Sequence, residues 1–162
     1  MDDLPFYYDL VAGQIFHATS TQNFTAIIQD GEIRANRGER PFMFEQSAIS
    51  YAKKMGYVAL FDFSDCPEEK IRLMTLQWPR LIAKQKPAIL LLLDRRKLGS
   101  ALVTSAMAAL ESGGEFMKAN YHIPHVEAWY PDRIPLAFCE RALKIEWPDK
   151  KATDIPLSDH GI

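Results

Sequence analysis

"GQIFHATSTQNFTAIIQDGEI", residues 13–33, carries two periodicities in immediate succession. Ile15, His17 and Thr19 alternate with Phe16 and Ala18, the period of a strand whose successive side chains point to opposite faces. Ser20 or Thr21 then offers a hydroxyl to cap a helix. Phe24, Ile27 and Ile28 fall at the i, i+3, i+4 spacing of a buried stripe, and Gly31 supplies the left-handed residue that ends it. The pattern predicts strand, helix, stop, with a histidine at the end of the strand on the Ile15 side.

Beyond this unit, "EIRANRGERPFMF" (32–44) reads as a loop with three arginines, Arg34, Arg37 and Arg40, running into the apolar Phe42 to Phe44. Ala48, Tyr51, Ala52 and Met55 repeat at helical spacing. Lys53 and Lys54 sit near the end of that helix, where cations complement the dipole, and Gly56 closes it. "YVALFDF" (57–63) has strand propensity and weak alternation, as expected of burial on both faces. Asp65 and Glu68 have the spacing of an N-cap and its carboxylate, which predicts a helix over 66–77 that Pro79 disturbs. "PAILLLLD" (87–94) is the most apolar stretch and reads as a central strand. From 98 to 118 a helical "SALVTSAMAALE" is broken by "SGGEF", where a mobile loop is expected. A strand at 124–130, a turn "PDRIPLAFC" and a final strand "ERALKIEW" follow. Strands concentrated toward the end predict α+β rather than a repeating βαβ sheet. With no repeat and no linker, the expectation is one domain over 1–148 and a C-terminal tail over 149–162 that adds little to the core.

The 162 residues balance 19 Lys and Arg against 21 Asp and Glu, a formal charge of -2, which argues against a strongly basic nucleic-acid module. Cys66 and Cys139 lie far apart without CxxC spacing, so neither a disulfide framework nor a cysteine-rich zinc site is expected. "MDDLPFYYDL" lacks the basic start and apolar core of a signal peptide, and "AILLLL" is too short to span a bilayer. The expectation is a soluble, cytoplasmic protein with no membrane partner. There is no G-x-G-x-x-G and no P-loop.

Two places carry candidate chemistry. A lone strand histidine such as His17 is more often structural than functional. In "HIPHVEAWYPDRIPL" (122–136), strand alternation would put His125, Glu127 and Trp129 on one face. That face reads as solvated, as an active-site carboxylate, or as a metal site using His122, His125 and Glu127. On a strand, positions 122 and 125 point oppositely, which suits zinc poorly, so no metal is expected.

Read together, separated segments resemble ADP-ribosyltransferases. "IFHATSTQNFTAIIQDGEI" is similar to the first motif of that fold, a strand ending H-x-T or H-x-S, then a helix, a glycine and a short strand. "PFMFEQSAISYAKKMGYVALFDF" looks like the second, an aromatic strand end leading into a Ser/Tyr-bearing helix and a core strand. "HVEAWYPDRIPLAFCERALKI" looks like the last, a strand carrying the glutamate followed by P-x-x-I-P-L and a closing strand. The three occur in the required order over roughly half the chain, and the first and last look most like bacterial DNA-targeting ADP-ribosyltransferase toxins and their uncharacterised relatives.

The resemblance implies an α+β fold with a split β-sheet, an NAD cleft between its halves and flanking helices. It implies an enzyme using NAD as substrate, with Glu127 and His17 catalytic and His17, Ala18, Thr19, Phe44, Tyr51 and Arg40 binding NAD. His17 would bond the nicotinamide-side ribose and backbone beside it the carboxamide. Tyr51, or else Phe44, would stack on the ring, Thr19 would order the motif, and Arg40 would meet the pyrophosphate or the target. The acceptor would be a macromolecule, nucleic acid or protein, and an antitoxin or immunity protein would be a further partner. The S-T-S triplet of the arginine-specific branch is missing and His125 stands where that branch has a second Glu or Gln, so arginine modification is not expected. Alternatives are an NAD hydrolase, a catalytically silent nucleotide- or protein-binding member of the fold, and a metal-dependent hydrolase built on His122, His125 and Glu127. The segment 111–124 before Glu127 stands where the fold recognises its substrate.

Overall fold

A computed structural model describes residues 3–44, 49–79, 82, 84–111 and 122–157. Helix α1 (Tyr8–Val11) leads into strand β1 (Ile15–Thr19), helix α2 (Thr21–Asp30) and strand β2 (Glu32–Arg34). Helix α3 (Tyr51–Met55), strand β3 (Tyr57–Asp62), helix α4 (Glu68–Gln77) and strand β4 (Ala88–Leu93) follow. Then come α5 (Arg95–Leu98), β5 (Val103–Thr104), α6 (Ser105–Glu111), β6 (Glu127–Pro131), β7 (Arg133–Pro135), β8 (Cys139–Glu146) and β9 (Lys151–Ile155). The architecture is mixed α+β. Seven strands form one sheet in the order β5-β6-β3-β1-β4-β8-β9, and β2 pairs with β7 apart from it. Every pairing is antiparallel.

The alternation of β1 sorts its residues between two cores. Phe16 packs on one face with Phe61, Leu90, Leu92 and Leu143, covered by Ile71 and Met74 of α4 and by Tyr7 and Val11. Ile15 packs on the other with Leu60, Leu91 and Leu93, covered by Phe24 and Ile27 of α2 and by Ile33 and Ile134 of the β2–β7 pair. All six residues of β4 are buried, which explains the unbroken apolar run: a central strand covered on both faces has no polar side. A third cluster joins Trp129 to Ala52 of α3 and Ala108 of α6.

The helix after β1 is bounded as its sequence requires. Ser20 Oγ accepts from the Asn23 N–H at 3.1 Å, and Gly31 stands at φ 70°. Ser20→Ala should lower unfolding stability by about 1 kcal/mol through the lost cap, measured by chemical denaturation. An unchanged midpoint would mean that packing of Phe24 and Ile27 alone holds the helix end.

The pairing of β1 with β3 stops early. Only Ile15↔Asp62 and Phe16↔Phe61 are in register, whereas β1 follows β4 as far as Thr19↔Ile89 and β3 follows β6 as far as Tyr57↔Pro131. Each strand is held along its outer edge while the inner edges part beyond Phe16, so the sheet opens between His17–Thr19 and Tyr57–Leu60.

Several expectations need correction. The strand expected over 124–130 begins at Glu127. Residues 124–126 form a turn in which the Val126 N–H donates to Pro124 O at 2.8 Å and His125 takes φ 67°, so His125 does not share a strand face with Glu127 and Trp129. Helix α4 starts after Pro67, not at an Asp65 cap, and no side chain caps it; the Pro67 carbonyl accepts from the Lys70 and Ile71 N–H groups at 2.9 and 3.2 Å. The segment from 149 is more than a tail. Lys151–Ile155 extends the sheet as β9, registered from Glu146↔Lys151 to Ala142↔Ile155, and Arg141 grips Asp154 through two bonds of 2.6 and 2.9 Å. Ala48, and most of the loop expected before residue 122, lie outside the described residues. Among those described, no helix is long and apolar enough to cross a membrane.

Candidate functional site

The opening between β1 and β3 holds a cavity. Strand β1 contributes His17, Ala18 and Thr19 to its wall, β6 contributes Glu127, and the segment after β2 contributes Arg40 and Phe44. By register His17 belongs to the Ile15 side of the sheet and Glu127, opposite Phe61, to the Phe16 side. They reach one cavity because the sheet is parted there and both faces abut the gap.

His17 Nδ1 lies 2.8 Å from the Ala59 carbonyl across the opening. A carbonyl only accepts, so Nδ1 carries the proton and Nε2 remains an acceptor in the neutral ring. Burial pushes the imidazole pKa below its ordinary value, partly opposed by the Ala59 carbonyl. The result is a neutral ring with one defined tautomer.

Glu127 is buried, 9% exposed. Its Oε2 accepts from the Ile123 N–H at 2.7 Å and its Oε1 from Trp129 Nε1 at 3.0 Å. Burial raises its pKa to about 7, with both donors pulling downward against it. Such a carboxyl can hold either charge state near neutrality, which suits it to accept a proton or to face a developing cation.

The cations of the wall differ in what they have available. Arg40 donates to Asp30 at 2.6 Å, and Arg34 donates to Glu32 at 2.7 Å. Lys53 also lines the cavity, and its ammonium sits 5.6 Å from the Phe42 ring centroid with no carboxylate within ion-pair distance among the described residues. Arg40, expected to meet the pyrophosphate or the target, stands in the wall with its charge already offset by Asp30.

Of the aromatic residues, Phe44 lines the cavity with the Lys86 ammonium 5.4 Å from its ring. Tyr51 is not in the lining. Its ring packs edge-on against Trp129 at 4.8 Å and Tyr57 at 6.0 Å, because the first turn of α3 presents it to the Trp129 cluster while Ser50 and Ala52 reach the wall. Of the two aromatic residues expected to stack on a ring, Phe44 therefore faces the cavity and Tyr51 does not. Thr19 is buried at the end of β1. His122 packs edge-on against Trp129 at 5.9 Å, and no group of three His, Cys, Asp or Glu gathers as metal ligands among the described residues.

Lys53, a helix-end cation in the sequence pattern, and the Ala59 carbonyl, which carries no side-chain signal, join the wall only through the tertiary structure. Trp129 was visible only as a neighbour of Glu127. Compared with known proteins, the chain matches no protein-family model, no curated protein and no solved structure at a significant level.

Proposed function

We propose that this protein is an NAD-dependent ADP-ribosyltransferase that binds NAD in the opening between β1 and β3 and transfers ADP-ribose to a macromolecular acceptor. The observation that carries the reading is the shared cavity of His17 and Glu127, two residues 110 positions apart in the chain, at the place where the sheet pairing ends. Such a parted sheet with these two side chains is what the resemblance to ADP-ribosyltransferases implies.

The chemistry suits the groups. Breaking the bond between ribose C1′ and nicotinamide sends the electron pair out with the nicotinamide and leaves positive charge on the ribose. A carboxylate fixed in a desolvated wall stabilises that charge more strongly than water does. An acceptor oxygen or nitrogen then bonds to C1′ and gives up its proton, for which Glu127 is the base at hand. Neutral His17 offers Nε2 to a ribose hydroxyl, the backbone about Ala18 meets the carboxamide, and Phe44 stacks on the ring. Lys53, the wall cation with no carboxylate against it among the described residues, takes the pyrophosphate. Lys53→Gln should raise KM for NAD about tenfold, the worth of one charge-assisted contact, with kcat little changed; an unaltered KM would return the phosphate to Arg34 or Arg40.

Incubation with adenine-labelled NAD and, in turn, DNA, RNA and a protein mixture tests the reading. Label fixed to a macromolecule supports transfer. Free ADP-ribose alone supports the hydrolase, and bound but intact NAD supports the silent member of the fold. Failure to bind NAD overturns the proposal.

A further inference from the structure

We infer that Trp129, which does not line the cavity, is a positioning residue that together with the Ile123 N–H aims the Glu127 carboxylate and keeps it available as an anion. The inference rests on the reading of Glu127 as the group that meets the developing charge.

The geometry is a clamp. Trp129 lies two residues along β6 from Glu127, so the two share a face, and the indole Nε1–H reaches back to Oε1 at 3.0 Å. The Ile123 N–H takes the other oxygen at 2.7 Å, and the Glu127 N–H returns a bond to the Ile123 carbonyl at 3.2 Å. The turn at 124–126 folds Ile123 back to make this reciprocal pair. Among the described residues each carboxylate oxygen thereby has one donor, and a carboxylate oxygen can accept a second bond, here from a ligand hydroxyl.

The indole is itself immobilised. Trp129 is fully buried, with Tyr51 edge-on at 4.8 Å and His122 at 5.9 Å. A buried indole N–H needs some acceptor. Here it has been given the carboxylate of the cavity wall. Among the described residues, the other titratable or charged groups on the elements packed around the clamp are His17 on β1, Glu32 and Arg34 on β2, Arg40 after β2, Tyr51, Lys53 and Lys54 on α3, Tyr57 and Asp62 on β3, Glu111 on α6, His122 before β6 and Tyr130 on β6. None of them forms a hydrogen bond or ion pair with the Glu127 carboxyl. With no countercharge in contact among the described residues, the two N–H donors are what opposes protonation of a desolvated acid.

Two variants remove the N–H and keep an aromatic body in place: Trp129→Phe, and replacement of Trp129 by benzothienylalanine, which has sulfur where the indole has N–H. The readout independent of turnover is the carbon-13 titration of the labelled Glu127 carboxyl, identified by its absence in Glu127→Gln. Both variants should move the midpoint up by about one pH unit. Turnover of NAD at pH 7 should fall about fivefold, as the ionised fraction drops from about one half to about one tenth, and recover as pH rises past the new midpoint, with KM little changed. A structural role alone would lower turnover evenly across pH. An unmoved carboxyl midpoint in both variants overturns the inference. If wild-type protein neither binds nor cleaves NAD, the enzymatic reading falls instead, and the titration still decides whether Trp129 holds Glu127.

Discussion

Glu127→Gln should reduce NAD cleavage on the order of 10³-fold while leaving the protein folded and able to bind NAD. The side chain keeps its shape and loses its charge, so under the proposed function it can no longer offset the positive charge that builds on the ribose. Loss of one well-placed electrostatic contact in a water-poor site has effects of this size. The substitution has a local cost as well. Ile123 and Trp129 each point an N–H at a carboxylate oxygen, and an amide presents only one oxygen to the two of them. One buried donor then loses its partner, at about 1–3 kcal/mol. Circular dichroism and NAD binding separate that cost from the catalytic loss. Turnover within a few fold of wild type, with folding and binding intact, would remove Glu127 from the chemistry.

The second large effect is a stability difference that changes with pH. The Glu127 pKa lies at about 7 in the folded protein against 4.5 for the free side chain, so folding favours the protonated form. The stabilisation is fully present below pH 4.5 and is lost as pH rises through about 7, because the folded state then carries a desolvated anion. Its size is about 3 kcal/mol, from 1.36 kcal/mol per pKa unit. His17 works in the opposite direction. Burial lowers its folded pKa, so its contribution is present above about pH 6.5 and lost as pH falls through the depressed value. The wild-type profile therefore mixes two opposed slopes. Subtracting it from that of Glu127→Gln, in which His17 is unchanged, isolates the carboxyl. Wild type should lose about 3 kcal/mol relative to the variant between pH 4.5 and 8, read by urea denaturation at a series of pH values. A flat difference would mean that Glu127 is solvated in the folded state.

Much of this protein is written in short-range patterns. The alternation from Ile15 to Thr19, the Ser20 cap, the stripe of Phe24 and Ile27 and the stop at Gly31 each depend on residues within a turn or two of one another, where backbone sterics and side-chain direction act directly. The all-buried β4 announces itself in "AILLLL" because a strand covered on both faces excludes polar residues. The α+β class follows from the order of such elements. The limits appeared where local signals competed: Pro124 and the reversed bond at Val126 took His125 out of the strand, and the polar β9 found its place by pairing with β8 rather than by any apolar pattern of its own.

The candidate site is of another kind. His17 and Glu127 could be picked out as residues, and their likeness to a family's motifs linked them, but neither showed how residues on opposite faces of one sheet reach a common cavity. That depends on where β1 stops pairing with β3, which is set by β4 and β6 holding the two strands from outside. Tyr51 and Arg40 show the same limit. Each has a suitable side chain, but Tyr51 packs on Trp129 outside the lining, and Arg40, although in the wall, is already paired with Asp30. Sequence alone determined the elements, their caps and a short roster of reactive groups, because those follow from neighbours along the chain. Tertiary structure decided which groups meet, which charges are already offset and how far the Glu127 carboxyl is desolvated, because each depends on packing between segments many residues apart.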